Sequence, residues 1–215
     1  MKNLKNLPKE EKLNVWSHGL GALVILLFMP FFFIYLPAHV EKGQILAFAY
    51  FFGSLIFLFL MSTLYHYHVD EKKKGLFRVL DHIGIVILIS GSYVSFISYF
   101  LPTDKGFLVL SIHSAICLIA IAFKLFFTGR FEFLSLALYL SLGWMVVLIF
   151  QDMIIQMSPA ALNLLIVGGI SYTVGVVFYA IPKIPYNHFI WHLFVLVGSI
   201  SHILSLSFDV LSQTN

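Results

Sequence analysis

Residues 187–202 read NHFIWHLFVLVGSISH. Most positions suit lipid, and the apolar run spans about 188–208. At a rise of about 1.5 Å per residue, a helix of that length crosses the roughly 30 Å hydrocarbon layer of a bilayer. Yet the stretch holds three histidines, His188, His192 and His202. On a helical wheel with His188 at 0°, His192 falls near about 40° and His202 near about −40°. All three share a face and can look into one bundle. Rise separates them: from His188, His192 is about 6 Å and His202 about 21 Å along the axis. One ion cannot touch all three. The stretch divides into a pair spaced i, i+4 and a separate third histidine.

The rest of the chain reads the same way. Of 215 residues, 60% are hydrophobic and 11% charged, with mean hydropathy +0.95. A soluble domain carries about a quarter charged residues. Six further apolar runs lie at about 16–36, 44–66, 82–101, 106–127, 133–151 and 160–181. The expectation is an all-α, seven-transmembrane helical bundle: one integral membrane domain over 1–215, with a short N-terminal segment 1–14. The runs lack the period-2 pattern of a barrel. Short polar connections such as PTDK, GRFE and YHVDEKKKGLFRVLD separate them. No small-residue cleavage site follows the first run, which is read as a retained span. Among Lys, Arg, Asp and Glu only Lys124 falls inside a run, close enough to its end to snorkel. The single Cys117 excludes an intramolecular disulfide or a Cys-based metal site and reads as core filler. Nothing in the pattern points to nucleic acid.

Lys and Arg set the expected orientation. Lys2, Lys5, Lys9, Lys12, Lys72, Lys73, Lys74, Arg78, Lys124, Arg130 and Lys183 fall on one side, Lys42 and Lys105 on the other. The positive-inside rule places the richer side in the cytoplasm. Seven spans then put the N-terminus inside and the C-terminus outside, opposite to a G-protein-coupled receptor.

On that expected cytoplasmic side the polar residues converge. The first span brings Glu11, Asn14, His18 and Gly21 on one face. The second ends in Ser62 and His66, spaced i, i+4. The third opens with Asp81-His82 and continues a polar stripe through Ser92, Ser95 and Tyr99. The seventh opens with His188 and His192. Polar side chains inside spans are costly and usually face the bundle interior. Two imidazoles at i, i+4 suit one ion, and His66 makes three. Three histidines with an open fourth position describe a catalytic-type zinc site, where zinc polarises a carbonyl and lowers the pKa of a bound water to about 7. Asp81 is then the candidate to orient that water or act as base, and Ser62 to hold the water or a substrate oxygen. Glu11, Asn14 and His18 are candidates to support the ligands.

Each residue alone also has a plainer reading. A histidine at a span end can be a hydrated interfacial residue. Ser62 can be a helix–helix hydrogen bond, and Asp81 a helix N-terminal residue favoured by the dipole. Their common depth is what favours the site.

The same residues resemble the hemolysin III family, the bacterial branch of the progestin and adipoQ receptor family. The resemblance covers nearly the whole chain, through EKLNVWSHGLGAL, STLYH, LDHIGIVILISGSY, LGW, GGISYTVGVVFYAIPK and HFIWHLFVLVGSISH. It implies seven helices with the N-terminus inside, and zinc (Zn2+) held by His66, His188 and His192. Asp81 would hold a zinc-bound water with Ser62 beside it. In the receptor and alkaline ceramidase branches it implies hydrolysis of amide bonds in ceramide-like lipids; in the bacterial branch the family name implies membrane lysis. Two positions depart from the pattern. Many relatives carry Glu between the two histidines where this chain has Phe189-Ile190-Trp191, and GSYVS lacks a proline. Neither is a proposed ligand. The long N-terminal domain of the hormone receptors has no counterpart, so adiponectin binding is not expected.

The expected function is a zinc-dependent hydrolase of a lipid amide or ester in the cell (plasma) membrane, with a membrane lipid or fatty-acyl substrate. The alternatives are a non-enzymatic lipid or membrane-state sensor with structural zinc, and a lytic pore. Outside the site, Gly91 with Ser95 and Ser171 with Gly175 form small-xxx-small pairs suited to close helix contact. Tyr35, Tyr99, Trp144 and Trp191 read as interface anchors or core. His39 and His68 are expected to be solvated. His82 points away from Asp81 on the wheel and has no assigned role. His113 lies at a depth similar to that of His202, and a polar contact between them is expected.

Overall fold

The computed structural model describes residues 4–212, apart from the side chain of Lys5. Lys2 of the charge count lies outside the described residues. After a 3-10 turn at Leu4–Asn6, the helices are α1 Lys9–Ile34, α2 Lys42–Tyr67, α3 Glu71–Phe100, α4 Asp104–Phe127, α5 Glu132–Trp144, α6 Phe150–Gln156, α7 Pro159–Ala180 and α8 Asn187–Ser212. A 3-10 segment, Met145–Ile149, joins α5 to α6. These three pieces together form one of seven stretches long and apolar enough to cross a membrane. No strand occurs among the described residues.

Local sequence sets the helix starts. The side chains of Asp70, Thr103 and Ser158 accept from the backbone N–H of Lys73, Gly106 and Ala161. Each satisfies a donor that has no partner within its own helix. Pro159 opens α7, where its missing N–H costs nothing.

Helix α3 packs along α2, and α8 along α7, while α1 lies against both α2 and α8, and α4 against α3. Both small-residue pairs sit at these contacts. A Cβ on Gly91 would meet the Cα of Phe51 on α2 at 3.2 Å, and Ser95 Oγ donates to the Ala47 carbonyl. Ser171 Oγ donates to the Phe194 carbonyl, and Gly175 faces Trp191 and Phe194. Phe32, Phe48, Phe51, Phe52 and Phe59 fill the α1–α2 core without exposure. Leu27, Ile34, Leu46, Phe126, Phe133 and Ile155 point outward. In water such a surface would favour aggregation; in a bilayer it meets acyl chains.

Several sequence expectations change. Helix α3 starts at Glu71, so most of the second connection is helix. Asp81 therefore lies about three turns inside α3, and the dipole reading fails because that field fades within the first turn. The fifth span is not continuous, because the 3-10 segment interrupts it.

Lys124 does not snorkel: it is 1% exposed, with Nζ 3.7 Å from Glu132 Oε2 and over the Tyr139 ring. The tight α4–α5 turn, with left-handed backbone at Gly129 and Phe131, brings Glu132 to the lysine, so the charge has a partner without reaching water.

His113 and His202 make no contact, because each ring meets a different residue of α3. His113 stacks on Tyr93 at 3.9 Å, and His202 meets Phe96 edge-on at 5.8 Å. Of the aromatic anchors, Trp191 is buried, whereas Tyr35 and Trp144 are exposed. His39 is exposed, and His68 is half-buried, stacked on Phe77.

Candidate metal centre

Four helix segments meet at the end of the bundle where α1 begins. Helix α2 contributes His66 from its last turn and α8 contributes His188 and His192 from its first two. One nitrogen from each lies within 4.8 Å of the others. His66 Nε2 and His188 Nε2 are 3.1 Å apart. The three rings are mutually tilted, with centroids 4.8–5.1 Å apart.

Helix α1 supports this set. Glu11 Oε2 lies 2.5 Å from His66 Nδ1, and Lys74 donates to the other carboxylate oxygen at 3.0 Å. The contact assigns the proton of His66 to Nδ1 and leaves the Nε2 lone pair facing His188. A carboxylate behind a histidine in this way fixes the tautomer and raises the basicity of the ligand. Asn14 Nδ2 is 3.4 Å from the same Nδ1. His18 acts differently: its ring stacks on His192 at 3.7 Å and 5°, and neither of its nitrogens makes a hydrogen bond. It packs the ligand rather than orienting it by a polar contact.

Ser17 was missed by sequence reasoning. Its Oγ is 3.0 Å from His192 Nδ1, so α1 buttresses two of the three histidines. The signal was present in the i, i+3 spacing from Asn14, but a helical serine more often bonds its own backbone, as Ser17 also does to Asn14.

The donor set fits a metal ion. Glu11 and Ser17 account for the Nδ1 atoms of His66 and His192, so Nε2 is the free donor on each. A divalent cation between the rings would take one lone pair from each of the three histidines. The His66, His188 and His192 cluster could therefore hold a metal.

Beside the histidines, a cavity of about 380 Å³ enters the bundle between α3, α5–α6, α7 and α8. His18, Ser62, Asp81, His188 and His192 line its near end. Ser62 Oγ is buried beside the Asp81 carboxylate, without a close hydrogen bond to it. Asp81 is buried, and its Oδ2 is 3.8 Å from His82 Nδ1. Contrary to the helical wheel, His82 therefore approaches Asp81. Its Nδ1–H donates to the Arg78 carbonyl one turn back at 2.7 Å, which draws the ring along the helix toward the carboxylate. The remaining walls are largely apolar, including Leu58, Ile89, Phe96, Met153, Leu165 and Val195. Trp144, Val147 and Ile170 line the cavity and are each about half exposed, so the cavity is not sealed on that side of the bundle. Glu132, Tyr139 and Tyr179, unassigned from sequence, also face it.

The family described as Haemolysin-III related matches residues 7–203. A hemolysin-3 homolog of Bacillus subtilis is 38% identical over 89% of this chain and 90% of its own. Hemolysin-3 of Bacillus cereus is 34% identical over 98% of this chain and 96% of its own. An adiponectin receptor protein of Drosophila melanogaster is a more distant relative, 26% identical over 90% of this chain and 49% of its own. No solved structure matches the chain. With seven apolar helices and this match over most of its length, the chain belongs to the haemolysin-III family of multi-pass membrane proteins.

Proposed function

We propose that this protein is a zinc-dependent hydrolase of lipid amide or ester bonds, resident in the plasma membrane with its site in the cytoplasmic leaflet. The carrying observation is a three-histidine set beside an apolar cavity whose near end holds a buried hydroxyl, Ser62, next to a buried carboxylate, Asp81. The leaflet follows from the lysines and arginines gathered at that end. Zinc, the ion that three imidazoles suit, supplies Lewis acidity when bound, polarising a carbonyl and making water easier to deprotonate.

The residues of the chain do the rest. His66, His188 and His192 hold the ion, and Glu11 and Ser17 hold two of them in register. The apolar walls take the acyl chain and exclude bulk water from the scissile bond. Ser62 Oγ–H donates to the carbonyl oxygen as charge gathers there. An Asp81 carboxylate oxygen takes the proton of the attacking water. As the bond from carbonyl carbon to nitrogen or oxygen breaks, that proton passes to the departing amine or alcohol, and the acyl group leaves as a fatty acid.

The test is fatty acid release by purified protein from a panel of ceramides and acyl lipids. Release lost on chelation and restored by zinc supports the reading. Zinc-loaded protein that releases nothing from any of them contradicts it.

One observation favours a second reading, a lipid or membrane-state sensor with structural metal. The histidines tie α2 to α8, helices otherwise bridged mainly by α1. In that case, losing His66 unfolds the bundle; in the enzyme, it mainly abolishes turnover.

A further inference from the structure

The cavity does not end in uniformly apolar walls. Several polar side chains line it beyond the histidine cluster, and most are satisfied within the protein. Ser92 Oγ donates to the Ile89 carbonyl and Thr173 Oγ1 to the Gly169 carbonyl. The Tyr93 hydroxyl donates to the Gly143 carbonyl, and the Tyr172 hydroxyl bonds Ser199 Oγ at 3.0 Å. Among the described cavity-lining residues, buried side-chain nitrogen or oxygen atoms without a hydrogen bond occur at two places. One is the near end, at His18 and Ser62; the other is His202, whose ring nitrogens make no close hydrogen bond and have only the Leu165 carbonyl as a weak backbone partner.

His202 sits between Phe96 of α3 and Tyr172 of α7, with ring centroids 5.8 and 5.4 Å away. Its Cδ2–Nε2 edge lies against Gly168, where any Cβ would collide with it. The fold thus makes room for an imidazole and leaves its nitrogens without a close partner, which is unfavourable for any buried polar group. A half-turn about Cβ–Cγ exchanges the two ring edges without changing its volume and turns Nε2 away from Gly168, where an occupant could meet it. Neutral imidazole carries one donor and one acceptor. The group that complements it in either setting is a hydroxyl, which also donates and accepts. A ketone or a carboxylate only accepts.

Spacing fixes where that hydroxyl lies. His202 is about 15 Å from His192 along α8. An extended chain advances about 1.2 Å per bond, so about a dozen bonds span the gap. Building on the acyl-lipid reading of the cavity, we propose that His202 recognises a hydroxyl about a dozen bonds from the carbonyl, and that the preferred ligands are mid-chain hydroxylated acyl lipids. The histidines of 187–202 then serve two jobs in one cavity, with His188 and His192 at the ligand's head and His202 on its chain.

The test is binding, not turnover. Purified protein in detergent is titrated with octadecanoic acid and with its analogue bearing a hydroxyl on the twelfth carbon, each displacing a fluorescent fatty acid. The expected wild-type preference for the hydroxylated acid is about fivefold to tenfold, the worth of one buried hydrogen bond. His202→Phe abolishes the preference without weakening the plain acid, and His202→Gln, which keeps a donor and an acceptor, retains part of it. Equal binding of the two acids by wild type overturns the proposal even if no variant folds, and leaves the acyl cavity standing. A preference that survives in His202→Phe also overturns it. If neither acid binds, the cavity reading itself falls and this proposal with it. A preference with no hydrolysis of any lipid removes the enzyme reading alone.

Discussion

Glu11 Oε2 lies 2.5 Å from Nδ1 of His66, so the first helix of the bundle holds a histidine that projects from the second. The carboxylate sets which ring nitrogen keeps its proton and frees the other for the cluster. Glu11→Gln should keep the packing but lose the charge. Metal affinity is expected to fall about 10- to 100-fold, read by competition with a chromophoric chelator. Unchanged affinity would reduce Glu11 to a surface partner of Lys74.

Ser62 and Asp81 face the cavity but are not among the three histidine donors. Ser62→Ala and Asp81→Asn should therefore retain metal and lose turnover by about 100-fold or more. Metal content and fatty acid release, measured on the same preparation, separate the two effects. Loss of metal in either variant would mean that its role is to hold the site.

Glu132 is the acidic partner of the buried Lys124, and it also meets Arg78 at 3.4 Å. Glu132→Ala leaves a buried ammonium uncompensated. Because Glu132 is itself partly exposed, the expected loss is about 1–3 kcal/mol, below the usual cost of breaking a fully buried pair. Lys124→Met in the same background should recover most of it, as measured by thermal unfolding in detergent. Additive losses would show that the two residues act independently.

The glycines divide by what a Cβ would meet. At Gly91 it would meet Phe51 backbone and Ser54, so Gly91→Ala pushes α2 from α3 and should cost about 1–3 kcal/mol. At Gly53, inside α2, nothing lies within 4 Å. Gly53→Ala should stabilise by up to about 1 kcal/mol, from helix propensity alone. The same unfolding assay reads both, and equal signs would contradict the α2–α3 packing.

Seven spans were legible because apolar runs of membrane-crossing length are hard to read otherwise. The histidine cluster was legible because i, i+4 spacing on one helix and a common depth on two are simple geometry. What escaped were features with no period. Residues 71–81 are charged and helical, and using apolarity as the mark of a span hid them; Asp70 followed by Glu71 was the available start signal. The burial of Lys124 depended on a turn that brings Glu132 back to it. The break at Met145–Ile149 has no marker in an apolar run, and its neighbouring carbonyl at Gly143 is met by Tyr93 from another helix. Pairing His113 with His202 failed because shared depth does not tell which helices adjoin.

His66, His188 and His192 are placed to hold one metal ion between α2 and α8. Elemental analysis of purified wild type beside His66→Ala, His188→Ala and His192→Ala tests it most directly. About one zinc per chain is expected in wild type, with substantial loss in each variant. Full metal occupancy in all three would mean that these histidines do not hold the ion.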